Sequence, residues 1–119
     1  MIVRRIGDFE AFRAVDGSEV VEVVGLKATG TEELSIAMAK VKPGRKTLNH
    51  LHRFTEVYMI AEGRGIMHIK GESRRVRKGD IILIPAGSQH HLENDGKTEL
   101  TLWCICAPAF TVEGTELKT

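Results

Sequence analysis

The sequence predicts an all-β fold, a sandwich or barrel of short strands, and three observations carry that reading. Short apolar runs recur along the whole of the 119 residues. Gly, Pro, Asn or Asp separates each run from the next, the spacing of strands joined by tight turns. Helical periodicity is weak everywhere, so little of the chain offers a stripe for a helix to bury.

Taken in order, Asp8-Phe-Glu-Ala-Phe12 is the segment with a helical turn, Asp8 capping it and two phenylalanines standing three apart. The strands are Val20–Val24, Leu34–Val41, Val57–Ile60, Ile66–Ile69, Ile81–Ile84 and Leu100–Cys106. Gly63-Arg-Gly65, Lys70-Gly-Glu72, Lys78-Gly-Asp80 and Asn94-Asp-Gly96 supply turns between them. Both faces of Leu100–Cys106 are apolar, as in a strand buried on both sides, so Trp103 belongs in the barrel lining or at an interface. The basic stretch Arg74 to Lys78 follows a Gly71-Glu72 turn and reads as a solvated hairpin arm. Val112 to Thr119 is polar and reads as a loosely packed tail.

The chain is long enough for one core and too short for two, so residues 1–119 are expected to form a single domain. A formal charge of +1 gives no basic face for neutralising phosphates, which argues against nucleic acid as a partner. No apolar run reaches the roughly 18 residues a spanning helix needs, and no membrane partner is expected. Met1 to Asp8 lacks the apolar centre of a signal peptide, so a cytoplasmic address is expected. The only cysteines, Cys104 and Cys106, stand one residue apart, too close for an ordinary disulfide framework. A Cys-x-Cys pair can bind metal, but these two read as reduced, buried apolar fillers.

The chemistry concentrates in two stretches. Alternation sends His50 and His52 to one face of a strand, and it likewise puts Glu56, Tyr58 and Ile60 on one face of the next. If those strands are antiparallel neighbours, a short connection brings Glu56 to the histidine pair. Pro85-Ala-Gly87 is a rigid turn that can deliver His90 from elsewhere, with His91 as its competitor. Three imidazoles and one carboxylate suit a divalent transition metal.

These stretches resemble the paired signature motifs of the cupin superfamily. The first motif is matched by Gly44, His50, His52, Glu56 and Gly63, and the second by Gly79, Pro85, Gly87, His90 and Asn94. Both matches are complete, over residues 44–63 and 79–94. The resemblance implies a double-stranded β-helix, a jelly-roll-type barrel of six to ten strands in two antiparallel sheets. It implies His50, His52, Glu56 and His90 as metal ligands, with His91 facing outward. Gly63 and Gly87 then serve as turn residues and Asn94 as a structural position. Small cupins are commonly homodimers, and Ile2 to Ile6 has the look of an edge strand that could pair across such a dimer.

The resemblance is specific for fold and metal but weak for reaction. The expected cofactor is one divalent ion among Mn, Fe, Zn, Ni, Co and Cu. Four protein ligands leave two octahedral positions for a small oxygenated molecule, sugar-like or a keto or hydroxy acid. Lewis-acid, isomerase-type chemistry is the leading expectation, with Tyr58 as proton donor or substrate hydrogen-bonder. The alternatives are a dioxygenase using non-haem iron and a non-catalytic small-molecule-binding protein. Arg53 and Gln89 flank candidate ligands but read as surface residues, and His68 reads as a satisfied or exposed histidine. Lys40, Lys42, Arg45 and Lys46 precede the first motif, yet alternation aims no convergent set inward for a phosphate.

Overall fold

Successive strands cross repeatedly between two antiparallel sheets, because turns rather than helices join nearly all of them. The structure is a computed structural model and describes residues 1–118. Its strands are β1 (Phe12–Arg13), β2 (Glu19–Val24), β3 (Ser35–Val41), β4 (His50–His52), β5 (Thr55–Glu62), β6 (Arg64–Ile69), β7 (Glu72–Arg77), β8 (Ile81–Ile84), β9 (His90–Glu93), β10 (Leu100–Ala107) and β11 (Thr115–Leu117). One sheet has the order β1-β2-β3-β10-β5-β8 and the other β11-β4-β9-β6-β7. This is the all-β, two-sheet barrel expected from the sequence. The strand number passes ten through the two-residue β1 and the three-residue β11 at the sheet edges.

Register explains what lines the interior. Across the larger sheet, Glu22, Ala37, Cys104, Tyr58 and Ile82 form one inward row, and Ser35, Cys106, Glu56 and Ile84 the next. The buried core joins both sheets, with Ala39, Ile60, Leu100 and Leu102 from one and Met67, Val76 and Leu92 from the other. Burying each large aliphatic side chain contributes about 1.5–3 kcal/mol. The opposite face of the larger sheet is also apolar. Val21, Met38, Trp103, Met59 and Ile81 form one outward row, and Val24, Ile36, Ile105, Val57 and Leu83 another. Ile81 is 68% and Leu83 62% exposed. Trp103 therefore belongs to the outer face, not to the barrel lining.

Two glycines of the motifs adopt the positive φ that side chains rarely take. Gly63 turns β5 into β6 at φ +86°, and a Cβ there would lie 2.8 Å from the Glu99 carbonyl oxygen. Gly87 has φ +80° in the turn before β9, and its N–H donates to the His52 carbonyl at 2.7 Å. Asn94 is structural as expected. It is buried and donates from Nδ2 to the carbonyls of Val41 and Thr98 at 2.8 and 2.9 Å.

Four expectations need correction. Ile2 to Ile6 is not a strand: residues 1–5 are irregular and exposed, and a short 3₁₀ turn covers Ile6–Asp8. Asp8 ends that turn rather than starting one, its carboxylate accepting from the Arg5 N–H at 2.9 Å, while Phe12 enters β1. The histidine strand and the Glu56 strand are not neighbours. β4 pairs with β9 and β11, whereas β5 pairs with β10 and β8 in the facing sheet. The corner at Arg53-Phe54 carries the chain across, with Phe54 buried and stacked on His52 at 4.7 Å. Finally, the polar C-terminal stretch is not loose, because β11 pairs with β4 (Thr119 lies outside the described residues). The helix α1 (Leu26–Thr29) is a single turn closed by Gly30, too short to show as a periodic pattern in the sequence.

Candidate metal centre

Three imidazoles from one sheet meet one carboxylate from the other. His50 and His90 are register partners across β4 and β9, with ring centroids 4.2 Å apart. His52 follows two residues along β4, its ring 4.9 Å from His50 and 5.6 Å from His90. Glu56, on β5, reaches across the barrel and places Oε1 3.2 Å from His52 Nε2 and 3.4 Å from His90 Nε2. One donor atom from each of the four residues lies within 4.8 Å of the others, and all four are buried. His91 instead faces outward and stacks on His68 at 4.2 Å.

The outer nitrogen of each ring fixes its tautomer. His50 Nδ1 lies 2.7 Å from the Leu48 carbonyl and His90 Nδ1 2.9 Å from the Ser88 carbonyl. A carbonyl only accepts, so both Nδ1 atoms carry hydrogen. His52 Nδ1 lies 2.9 Å from Thr115 Oγ1, whose single hydrogen already goes to the Thr111 carbonyl at 2.9 Å. Thr115 therefore accepts from His52. In the neutral rings all three Nε2 atoms then present bare lone pairs to the Glu56 carboxylate. His90 Nε2 and Glu56 Oε1 are buried without a hydrogen-bond partner. Lone pairs converging in this way repel unless a cation stands among them, which is the donor set a divalent metal takes.

Without a metal, hydrogens on the rings can fill the same role. Burial pushes the Glu56 carboxyl up, but the His52 and His90 rings, where their Nε2 atoms carry hydrogen toward the carboxylate, outweigh it and hold the group at about 2. Burial and then the neighbouring His90 push His50 down, against an upward pull from Asp16. Cys106 sits opposite Glu56 in the β10–β5 register and its Sγ lies 3.3 Å from Glu56 Oε2. Burial, followed by Glu56 itself, raises the Cys106 thiol well above its ordinary range, so it stays protonated and donates to the carboxylate. Cys106 is thus more than an apolar filler. Cys104 fits that description better, a thiol in the cavity wall that burial likewise raises.

Tyr58 lies one inward row from Glu56, buried, with its ring 5.9 Å from that of His90. Burial and then the Glu56 charge push its hydroxyl upward, so it remains a donor at neutral pH. A cavity of about 70 Å³ opens over this group, walled by Ala37, Ala39, Leu102 and Cys104 and reached by Asp16 and Glu22. Three further residues at the site escape a reading of the sequence: Asp16, whose Oδ2 is 3.8 Å from His50 Nε2, with Cys106 and Thr115. Only the pairing of distant strands brings them there. Arg53 and Gln89 remain outside, Arg53 beside Glu116 at 3.7 Å and Gln89 beside Asn49 at 3.2 Å. His68 is satisfied by Ser73 and Glu93 at 2.7 and 3.2 Å.

A family model described as the cupin domain matches residues 37–106. The chain is 39% identical over 103 residues to protein MJ1618 of Methanocaldococcus jannaschii, covering 86% of this chain and 82% of that one. It is 29% identical over 88 residues to an oxalate-binding protein of Thermotoga maritima, covering 73% of each. Among solved structures, the nucleoside dehydratase Pac13 of Streptomyces superposes with a TM-score of 0.81 at 15% identity. That superposition covers 99% of this chain and 91% of the dehydratase, and at such identity it speaks for the fold alone.

Proposed function

The chain belongs to the cupin family, and on that premise we propose that it is a metalloenzyme performing isomerase-type chemistry on a small oxygenated molecule. The observation that carries the reading is the convergence of three bare Nε2 atoms and one carboxylate with no donor among them. His50, His52, Glu56 and His90 would hold one divalent ion, and the donor set suits several first-row metals. Such an ion, when bound, would supply Lewis acidity toward a substrate carbonyl.

The remaining residues prepare that chemistry. Leu48, Ser88 and Thr115 orient the imidazoles through their Nδ1 hydrogens. Cys106 steadies the outer oxygen of Glu56. Tyr58 offers a protonated hydroxyl from the cavity wall and serves as proton donor or hydrogen-bond partner to the substrate. Ala37, Ala39 and Leu102 keep the space apolar and exclude bulk water. The absence of a helix long and apolar enough to cross a membrane among the described residues fits the cytoplasmic address we propose.

A single-domain homodimer completes the proposal. The two outward rows of the larger sheet form a broad apolar face suited to covering by a second copy. A second functional reading, a binding protein without turnover, has support from the Thermotoga relative, which is named for binding oxalate.

Proton exchange separates the two readings. Metal-loaded protein in D₂O should accelerate deuterium incorporation at the α-carbon of small hydroxy-ketones, followed by NMR. Tyr58→Phe should slow that exchange about tenfold or more with metal content intact. Metal-loaded protein that leaves every α-hydrogen unexchanged would favour the binding reading instead.

A further inference from the structure

We propose that the cavity receives a small neutral molecule bearing hydroxyl groups through Asp16, and that it rejects small dianions such as oxalate. The proposal rests on the metal reading above and adds the class of ligand. Among the described residues that line the cavity there is no Lys or Arg, while Asp16, Glu22 and Glu56 all contribute carboxylates. Three carboxylates already exceed the charge of one divalent ion. A dianion would add negative charge to a poorly screened space with no remaining counter-ion. The nearest cations, Arg13, Lys40, Lys42, Arg45 and Lys46, line an adjoining cleft that shares Phe12, Asp16, Ser18, Val41 and Thr47 with the cavity, and none of these cations is in the cavity's own lining. Lys40 stands 3.9 Å from Glu99.

Asp16 is held in place by its own connection. Its carbonyl accepts from the Leu48 N–H at 2.8 Å, tying the β1–β2 turn to the segment entering β4. Its Oδ1 accepts from the Ser18 N–H at 2.9 Å and from the Ser18 hydroxyl at 2.6 Å. Oδ2 is then directed toward His50 Nε2, 3.8 Å away, on a side chain only 14% exposed. A carboxylate oxygen at that point accepts a hydroxyl hydrogen and repels a second carboxylate. The cavity, at about 70 Å³, matches the volume of roughly two liquid waters, which restricts the ligand to a small molecule.

Dihydroxyacetone and oxalate have equal numbers of heavy atoms, so comparing them tests charge rather than size. Protein first shown to bind Mn²⁺ or Co²⁺ by calorimetry is titrated with each compound, as wild type and as Asp16→Asn. Asparagine keeps an oxygen for Ser18, and a melting curve checks the fold. Metal content measured afterwards checks that oxalate has not stripped the ion. Wild type should bind oxalate at least about tenfold more weakly than dihydroxyacetone. In Asp16→Asn, oxalate affinity should rise about tenfold or more when both proteins are compared at saturating metal. Metal-bound wild type that prefers oxalate overturns the proposal and leaves the metal reading standing, as does a folded Asp16→Asn variant with unaltered oxalate affinity. Failure of the wild type to bind metal overturns the metal reading and this proposal with it.

Discussion

Thr115 Oγ1 lies 2.9 Å from His52 Nδ1, although 63 positions separate the two residues in the chain. Because Thr115 gives its own hydrogen to the Thr111 carbonyl, it fixes the His52 tautomer with Nε2 bare. Thr115→Val removes that acceptor and leaves the Nδ1 hydrogen unpaired. Metal affinity should fall about 10- to 100-fold, measured by competition with a chromogenic chelator, while Thr115→Ser should stay close to wild type.

The thiol of Cys106 supports the other side of the group. Cys106→Ala takes away the donor to Glu56 Oε2 without enlarging the side chain. Metal affinity should drop about tenfold, and Cys106→Ser should recover most of it. An alanine variant with wild-type affinity would return Cys106 to the role of filler.

Acid should weaken the metal-free protein in two stages. His50 is held below its ordinary 6.5, so the unfolded chain binds its proton first and stability falls as pH drops below 6.5. One proton gives a slope of at most about 1.4 kcal/mol per pH unit. Glu56 contributes stability above its ordinary 4.5 that is lost as pH falls from there toward about 2. Thermal melts from pH 7.5 to 5 should therefore show a declining Tm, and His50→Gln should flatten the decline. The same protons compete with the metal, whose affinity should fall over that range.

The outer face of the larger sheet should govern assembly. Trp103 and Ile81 lie in one outward row, joined through Met59. Ile81→Lys and Trp103→Glu should each convert the proposed dimer to monomer in sedimentation velocity, with metal binding retained. A wild type that sediments as a monomer would contradict the dimer directly.

Much of the site is legible in the sequence because its parts are local. His50 and His52 obey period two within one strand, and both motifs carry the glycines that Gly63 and Gly87 need for their positive φ. Tyr58 follows Glu56 by the same alternation and does face the cavity. What the sequence hides depends on long-range pairing. Thr115 reads as part of a loose tail until β11 is seen beside β4. Asp16 sits in a turn that the backbone bond from the Leu48 N–H ties to the site. The route of Glu56 is hidden too, since the same short connection serves a hairpin or a corner between sheets. Phe54, buried against His52, makes it a corner.

The most direct test of the account is a calorimetric titration of metal-free protein with Co²⁺, run on the wild type and on His90→Ala and Glu56→Gln. The account predicts one equivalent bound, a cobalt absorption spectrum of imidazole and carboxylate ligation, and an affinity lowered at least about 100-fold in each variant. A wild type that binds no cobalt, or variants that bind it as tightly as the wild type, would contradict it.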